Sequence, residues 1–277
     1  MRGVEERLGK VGMTVTSGFR GAIFDVDGVL VDSPHERAWR EAFAELMDTE
    51  WRDVRELSSY APERFTPQVY QQVMSGKPRM SGARAVLDHF QVPDAESRVA
   101  GYADRKQTLV TKLIRAGEFR AYPDALRFIL AVKAAGIPVA AASSSKNAGL
   151  FLEQIRLDVF AAEHGLAYDF VEPGLSLLEL FDVNLSGNDF EHGKPHPMMF
   201  LAVAEQFPAA PQSCFVVEDA VSGVQAAKAG AMTALGVARV GDEAALRSAG
   251  ADLVVTCLDD VAVDALSASR VQLASLR

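Results

Sequence analysis

The chain of 277 residues contains only two cysteines, Cys214 and Cys257, each inside or beside an apolar run. So few cysteines exclude a disulfide framework and a cysteine-based metal site, and they favour a reducing compartment. No apolar run is long enough to span a bilayer, and the N-terminal stretch has no apolar signal segment. We therefore expect a cytoplasmic protein with no membrane partner.

Basic charge is also scarce, since 28 Lys and Arg residues against 37 Asp and Glu residues give a net charge of −9. Nucleic acids attract basic surfaces, so we expect no nucleic-acid partner. A local positive site in an acidic protein can still bind a small anion. The polar residues 1–18 precede the first strong apolar run and predict a flexible N-terminal tail.

Strand-like and helix-like segments alternate from residue 123 onward, whereas residues 37–116 are helical in pattern. The apolar run at residues 22–26 is followed by an Asp-Gly pair and predicts a buried strand. The helical residues 37–116 cannot satisfy the hydrogen bonds at the edges of this strand, so it must belong to the sheet of the later strands. The sequence therefore predicts an α/β fold with a Rossmann-like, doubly wound parallel sheet. The predicted core domain comprises residues 19–36 and 117–277, and residues 37–116 form an inserted helical cap domain.

Polar residues follow the predicted strands or open the helices between them, at the sheet edge where parallel sheets bind ligands. These residues are, in chain order, Asp25, Asp27, Ser143, Lys194, Glu218 and Asp219. Clustered carboxylates are unfavourable without a cation, and their oxygens suit Mg²⁺. Singly, such residues serve as solvated turns, helix caps or surface charges. Together, a metal, a lysine and a hydroxyl form a receptor for a phosphoryl group, which predicts magnesium-dependent phosphoryl transfer.

Four segments resemble, in order, the four motifs of the haloacid dehalogenase superfamily. They read FDVDGVLVDS, VAAASSSKN, HGKPHP and VVEDAVSGVQAAKAGAM. The resemblance implies that Asp25 is the nucleophile and that Asp27 is the general acid and base. It also implies that Ser143 and Lys194 bind the phosphoryl oxygens.

The same resemblance implies a Mg²⁺ cofactor. Its expected ligands are the Asp25 carboxylate, the backbone carbonyl of Asp27 and the Asp219 carboxylate, with Glu218 close to the metal.

The position of the helical insert resembles the C1-cap subclass, and within it β-phosphoglucomutase and its phosphatase relatives. The segment SGKPRMSGARAVLD is similar to the mutase's G-x-x-R loop. This likeness implies that Arg79 binds a distal phosphate, because a guanidinium can bind phosphate through two donors. The remaining expected substrate-binding residues are Gly28, Ser144, Lys146 and Asn147.

Three features depart from the mutase pattern, and one of them is that the segment DSPHERAW after the first motif is shorter than the mutase's. Ser75 lies where the mutase has a lysine before the loop, and about twenty extra residues occur near residues 158–178. A hydrolase needs only water to reach the phosphoenzyme, so it tolerates such departures better.

The sequence thus predicts a phosphohydrolase of the haloacid dehalogenase superfamily that acts on a small phosphorylated metabolite, such as a phosphosugar, as a monomer or homodimer. Asp27 argues against dehalogenation, because a halide leaves without being protonated. No lysine lies in the helix at residues 34–47, which argues against phosphonate hydrolysis through an imine. Two alternatives stay open: a mutase of the β-phosphoglucomutase type, and a catalytically inactive binding protein of the same fold.

Overall fold

The computed structural model describes residues 18–74 and 77–275. Residues 1–17 of the predicted tail, and also Ser75 and Gly76 of the predicted cap loop, lie outside the described residues. Among the helices of the described part, none combines the length and the hydropathy that crossing a bilayer requires.

Six parallel strands form a central sheet, and two short antiparallel strands lie beside it. The strands are β1 (Gly21–Phe24), β2 (Val31–Asp32), β3 (Arg120–Ala121), β4 (Val139–Ala141), β5 (Val183–Asn184), β6 (Cys214–Glu218), β7 (Thr233–Val237) and β8 (Leu253–Val255). The order across the sheet is β5-β4-β1-β6-β7-β8, with β2 and β3 as the separate pair. The predicted α/β fold with a parallel sheet is confirmed.

The central strands β1 and β6 are apolar except for Glu218 at the end of β6, because both faces of the sheet are covered by helices. Every residue of β1 and β6 is buried, as expected for strands of a parallel sheet. The register aligns Phe24 of β1 with Ala141 of β4 and with Val217 of β6. The residues that follow these strands therefore meet at one edge.

Helices cover the sheet and fill the insertion between β2 and β3. They are α1 (His35–Asp48), α2 (Arg52–Arg55), α3 (Pro67–Val73), α4 (Arg79–His89), α5 (Ala95–Arg115), α6 (Pro123–Ala134), α7 (Ala148–Gln154), α8 (Leu157–Glu163), α9 (Leu177–Leu180), α10 (Met198–Gln206), α11 (Val221–Ala229), α12 (Glu243–Ser248) and α13 (Val263–Leu266).

Helices α1 to α5 share a hydrophobic cluster of their own. Phe43 lies within aromatic contact distance of Tyr60, Phe90 and Tyr102, and the Tyr102 hydroxyl donates to the carbonyl of Trp39 at 2.9 Å. The chain enters and leaves this helical insertion through β2 and β3, where Val31 pairs with Ala121. The exact limits of the cap, residues 37 and 116, stay a prediction.

The extra segment near residues 158–178 forms α8 and leads into α9, and apolar residues at both ends are buried. Leu157 and Leu177 are fully buried in the main core, and the Leu157 amide donates to the carbonyl of Leu175 at 2.9 Å. The segment is therefore packed against the core domain at both ends.

Candidate active site

The carboxylate of Asp25 lies at the end of β1, in direct contact with Lys194. Asp25 is only 6% exposed, and its backbone amide donates to the carbonyl of Val217 at 3.1 Å, which continues the sheet. Lys194 Nζ donates to Asp25 Oδ1 at 2.5 Å and also contacts Glu218 Oε1. Two residues that the sequence predicted to act together, 169 positions apart, are thus an ion pair.

Glu218 holds Lys194 in place with a carboxylate that has no free oxygen. It is 1% exposed, and its Oε2 accepts the backbone N–H groups of Asp219 and Ala220, each at 3.0 Å. Burial by itself lowers the pKa of Lys194. The charges of Asp25 and Glu218 have the larger combined effect and raise the pKa of the ammonium above its usual range. Lys194 is therefore a fixed positive charge beside Asp25.

Asp219 lies against Gly28, the turn residue of the first motif. Gly28 has a φ of +83°, and a Cβ at this position would overlap the Asp219 carboxylate. Only glycine allows this approach of backbone and carboxylate. The turn after β1 and the turn after β6 are thus locked together at the same edge.

Negative charge exceeds positive charge at this edge. Burial raises the pKa of Asp25 to about 7, against the opposing effect of Lys194 and with a contribution from Glu218. Burial, followed by the charges of Glu218 and Asp25, raises the pKa of Asp219 well above its usual range. An added cation would stabilise both carboxylates in their ionised form.

The donor set at this edge fits Mg²⁺, since it consists of carboxylate and carbonyl oxygens. Within residues 18–74 and 77–275, no group of three or more His, Cys, Asp or Glu side chains is arranged as a metal-ligand cluster. The four acidic side chains Asp25, Asp27, Glu218 and Asp219 are therefore not arranged as such a cluster. Lys194 contacts both Asp25 and Glu218, and two backbone amides bind the other oxygen of Glu218. The groups that fit Mg²⁺ here are the carboxylates of Asp25 and Asp219 and the backbone carbonyl of Asp27.

Asp27 lies next to His35, the first residue of α1, which the sequence analysis missed. His35 Nε2 lies 3.4 Å from Asp27 Oδ1 and 3.3 Å from the Ser145 hydroxyl. Burial lowers the pKa of His35 to about 4, although Asp27 acts in the opposite direction. Asp27 Oδ1 is buried without a hydrogen bond in the described structure, yet 24% of the side chain is exposed. This carboxylate is accessible and is not committed to a structural bond.

The serines after β4 differ in their surroundings. Ser143 is 2% exposed, and its hydroxyl accepts the Ser145 amide at 3.1 Å. Because Ala142 donates to the carbonyl of Phe24 at 2.9 Å, Ser143 lies at the edge of the sheet that carries Asp25. Ser144 is exposed at the surface.

Lys146 and Asn147, both predicted to bind substrate, have different partners. The Lys146 ammonium is exposed and bonds the Gly187 carbonyl at 2.7 Å and Asp189 at 2.6 Å. Asn147 is 4% exposed, and its Oδ1 accepts a bond of 2.7 Å from Gln107 of α5. This bond joins the helical insertion to the core and leaves the Asn147 NH₂ group as a donor.

The helical insertion contributes two cations, Lys106 near Asp27 and Arg79 near Lys106. Arg79 is exposed at the start of α4 and lies close enough to Lys106 of α5 to lower the pKa of that lysine. Lys106 is 5% exposed, and its ammonium lies 5.0 Å from the centroid of the Trp39 ring. Burial lowers the pKa of Lys106 to about 8, while Asp27 raises it.

The sequence contains a signal for Lys106 that the sequence analysis did not use. The buried face of α5 includes Val99, Tyr102, Val110 and Leu113, and Lys106 lies at helical spacing within it. A lysine on an apolar face is unusual, because lysines are almost never fully buried unless they are paired. His35 has no comparable sequence signal, because its contact with Asp27 depends on the path of the turn.

A family model for haloacid dehalogenase-like hydrolases matches residues 19–230. A β-phosphoglucomutase of Mycobacterium tuberculosis is 33% identical over 263 residues, which cover 87% of this chain and 91% of the relative. A phosphorylated carbohydrates phosphatase of Thermotoga maritima is 29% identical over 236 residues, covering 84% and 92%. An archaeal β-phosphoglucomutase from Pyrococcus superposes with a TM-score of 0.62 at 27% identity, covering 90% of this chain and 99% of that one.

Proposed function

Because the chain belongs to the haloacid dehalogenase-like hydrolases, whose relatives include phosphoglucomutases and sugar phosphatases, we propose that this enzyme is a magnesium-dependent phosphohydrolase. Its proposed substrate is a small phosphate monoester, in particular a phosphosugar. The observation that carries the proposal is the buried contact of Lys194 with Asp25, beside the accessible carboxylate of Asp27.

Asp25 is the proposed nucleophile. Its Oδ1 is bound by Lys194, and no hydrogen bond in the described structure involves Oδ2. Attack of a carboxylate oxygen on phosphorus forms an aspartyl-phosphate and breaks the bond to the leaving oxygen. Lys194, held by Glu218, stabilises the negative charge that gathers on the phosphoryl oxygens, and Ser143 donates to the same group.

Asp27 is the proposed general acid and base. In the first step it gives a proton to the leaving oxygen, and in the second it takes a proton from the attacking water. The exposed quarter of its side chain supports access of water, and the nearby His35 limits where the carboxylate can turn. Hydrolysis of the aspartyl-phosphate then releases phosphate and restores Asp25.

Asp25, the carbonyl of Asp27 and Asp219 would hold Mg²⁺. When bound, the ion neutralises the charge between the carboxylates and the phosphoryl group. Glu218 has both oxygens engaged, so its proposed part is to orient Lys194 and the turn that carries Asp219.

The helical insertion is proposed to bind the rest of the substrate. Lys106 offers positive charge close to Asp27, Arg79 adds a second cation near Lys106, and Asn147 offers an amide donor from the core. Positive charge contributed by the helical insertion favours a substrate with anionic or hydroxyl-rich groups beyond the reacting phosphate. A phosphosugar has this chemistry.

A mutase of the β-phosphoglucomutase type is the second candidate. The 33% identity to the mycobacterial enzyme over most of both chains favours it. In that case a hydroxyl of the phosphosugar, and not water, accepts the phosphoryl group.

Three assays test the proposal. Phosphate release from p-nitrophenyl phosphate and a phosphosugar panel should require Mg²⁺, stop with EDTA and disappear in Asp25→Asn. Asp32→Asn, which changes an exposed carboxylate of β2, is the matched control and should remain active. Phosphorus NMR of β-glucose 1-phosphate with a trace of the bisphosphate separates the candidates. Isomerised product without net phosphate release would refute the phosphatase proposal.

A further inference from the structure

Arg239, the second residue after β7, is a largely buried arginine that lies outside the reacting groups. Only 12% of its side chain is exposed, and it contacts two separate segments of the chain. None of the four motifs includes it. The contacts of its guanidinium lead toward the active site.

Two of these contacts hold the turn that carries the first motif. Arg239 Nε donates to the carbonyl of Gly28 and Nη2 donates to the carbonyl of Val29, each at 3.3 Å. These are the two residues that follow Asp27. Gly28 in turn lies against the Asp219 carboxylate, where no side chain would fit. A displacement of this turn would therefore move Asp27 relative to Asp219.

The other contacts hold the point at which the chain returns from the helical insertion. Arg239 Nη1 donates to Asp124 Oδ2 at 2.9 Å, and its guanidinium carbon lies 3.9 Å from the centroid of the Tyr122 ring. The Tyr122 amide donates to the carbonyl of Leu30 at 2.9 Å. One guanidinium thus joins Gly28 and Val29, which precede the helical insertion, to Tyr122 and Asp124, which follow it.

We propose that Arg239 is a positioning residue, which fixes the turn after Asp27 against Asp219 at the base of both connections to the helical insertion. The effect is geometric, because the Asp124 carboxylate already neutralises the guanidinium. A planar group with several fixed donors suits contacts in different directions, and a lysine cannot reproduce them. The catalytic consequence rests on the proposed function.

Four variants separate positioning from stability. Arg239→Met removes every donor but leaves the buried Asp124 carboxylate without its ion-pair partner, and Arg239→Lys keeps the charge. Asp124→Asn removes the ion pair and keeps the donors to the turn. The double variant Arg239→Met/Asp124→Asn removes both charges, so that no buried carboxylate is left unpaired.

The measurements are kcat and KM for phosphate release, at a temperature where every variant is folded. We expect kcat to fall about tenfold to a hundredfold in both Arg239 single variants and in the double variant, with KM within about threefold. Asp124→Asn should keep kcat within about twofold of the unchanged protein. Recovery of kcat in the double variant would overturn the proposal, because Arg239 would then serve only to neutralise Asp124.

Hydrogen exchange supplies a readout that does not depend on activity. In the double variant, amide exchange in residues 26–33 should speed up about tenfold or more while exchange in β6 stays unchanged. Unchanged exchange in residues 26–33 would overturn the positioning proposal, whatever the activity. Faster exchange there, in a protein that releases no phosphate before or after mutation, would support the positioning and refute the proposed function instead.

Discussion

Gly223→Ala should disable the enzyme through the carboxylate that holds Lys194. Gly223 lies in the first turns of α11, and a Cβ there would overlap the carboxyl group of Glu218. Glu218 cannot easily retreat, because one oxygen accepts two backbone N–H groups and the other binds Lys194. The added methyl group must therefore break part of this network.

The expected magnitude follows from the burial of the ion pair. Loss of one partner from a buried pair costs about 3–5 kcal/mol. Replacing glycine by alanine inside a helix raises the free energy of unfolding by only about 0.5–1 kcal/mol. We therefore expect Gly223→Ala to lower the free energy of unfolding by about 3 kcal/mol. Phosphate release should fall about a hundredfold, because Lys194 is no longer held beside Asp25.

Urea unfolding and steady-state phosphate release measure the two effects. Gly101→Ala in α5 is the matched control, since a Cβ at Gly101 would meet nothing within 4 Å. This control should gain about 0.5–1 kcal/mol of stability and keep its activity. If Gly223→Ala were as stable and as active as the unchanged protein, the role assigned to Glu218 would be refuted.

Three further substitutions test other contacts of the site. Gly28→Ala should lower phosphate release about a hundredfold and stability by about 1–2 kcal/mol, measured by turnover and urea unfolding, because its Cβ would displace Asp219 and its φ is +83°. Lys106→Met should raise the free energy of unfolding by about 1 kcal/mol, since it removes a buried charge, yet reduce turnover of phosphosugars more than turnover of p-nitrophenyl phosphate. Gln107→Ala should raise KM for a phosphosugar about fivefold with little change in kcat, because the Asn147 amide loses the bond that orients it.

Each of these expectations has a result that contradicts it. Full activity of Gly28→Ala would mean that Asp219 need not lie against the turn. Equal losses on both substrates in Lys106→Met would place the lysine in the general chemistry and not in substrate recognition. If Gln107→Ala lowered kcat and left KM unchanged, the bond between Gln107 and Asn147 would not contribute to substrate binding.

The parts of the fold that the sequence predicted are those with a strong local pattern. The strand after residue 21 and the strand at Cys214 are continuous apolar runs, and each leads directly into site residues. Buried parallel strands have this composition because helices cover both of their faces. The same pattern predicted that four acidic residues lie at the carboxyl ends of these strands, namely Asp25, Asp27, Glu218 and Asp219.

The elements that the sequence did not predict are short and depend on distant partners. Strand β5 has only two residues and is defined by its pairing with β4, and β2 and β3 pair with each other outside the central sheet. A strand of two residues is too short to show the periodicity of apolar residues from which a strand is predicted. The apolar residues of the segment near 158–178 are buried by contacts with the core, which composition alone does not reveal.

The contacts of individual side chains were also beyond the sequence. Glu218 was expected near the metal, and the sequence did not indicate that its oxygens bind Lys194 and two backbone amides. The bond between Gln107 and Asn147 joins residues 40 positions apart on different parts of the fold. Such pairs depend on how the insertion packs on the core, and no local pattern encodes that packing.

The most direct test of the account is the site at which the enzyme itself becomes phosphorylated. The enzyme should be mixed with a phosphosugar substrate and Mg²⁺, quenched in acid within one turnover, digested and examined by mass spectrometry. We expect a single phosphoryl group on the peptide that contains Asp25, and none in Asp25→Asn. A phosphoryl group on any other residue, or turnover by Asp25→Asn at the unchanged rate, would contradict the assignment of Asp25 as the nucleophile.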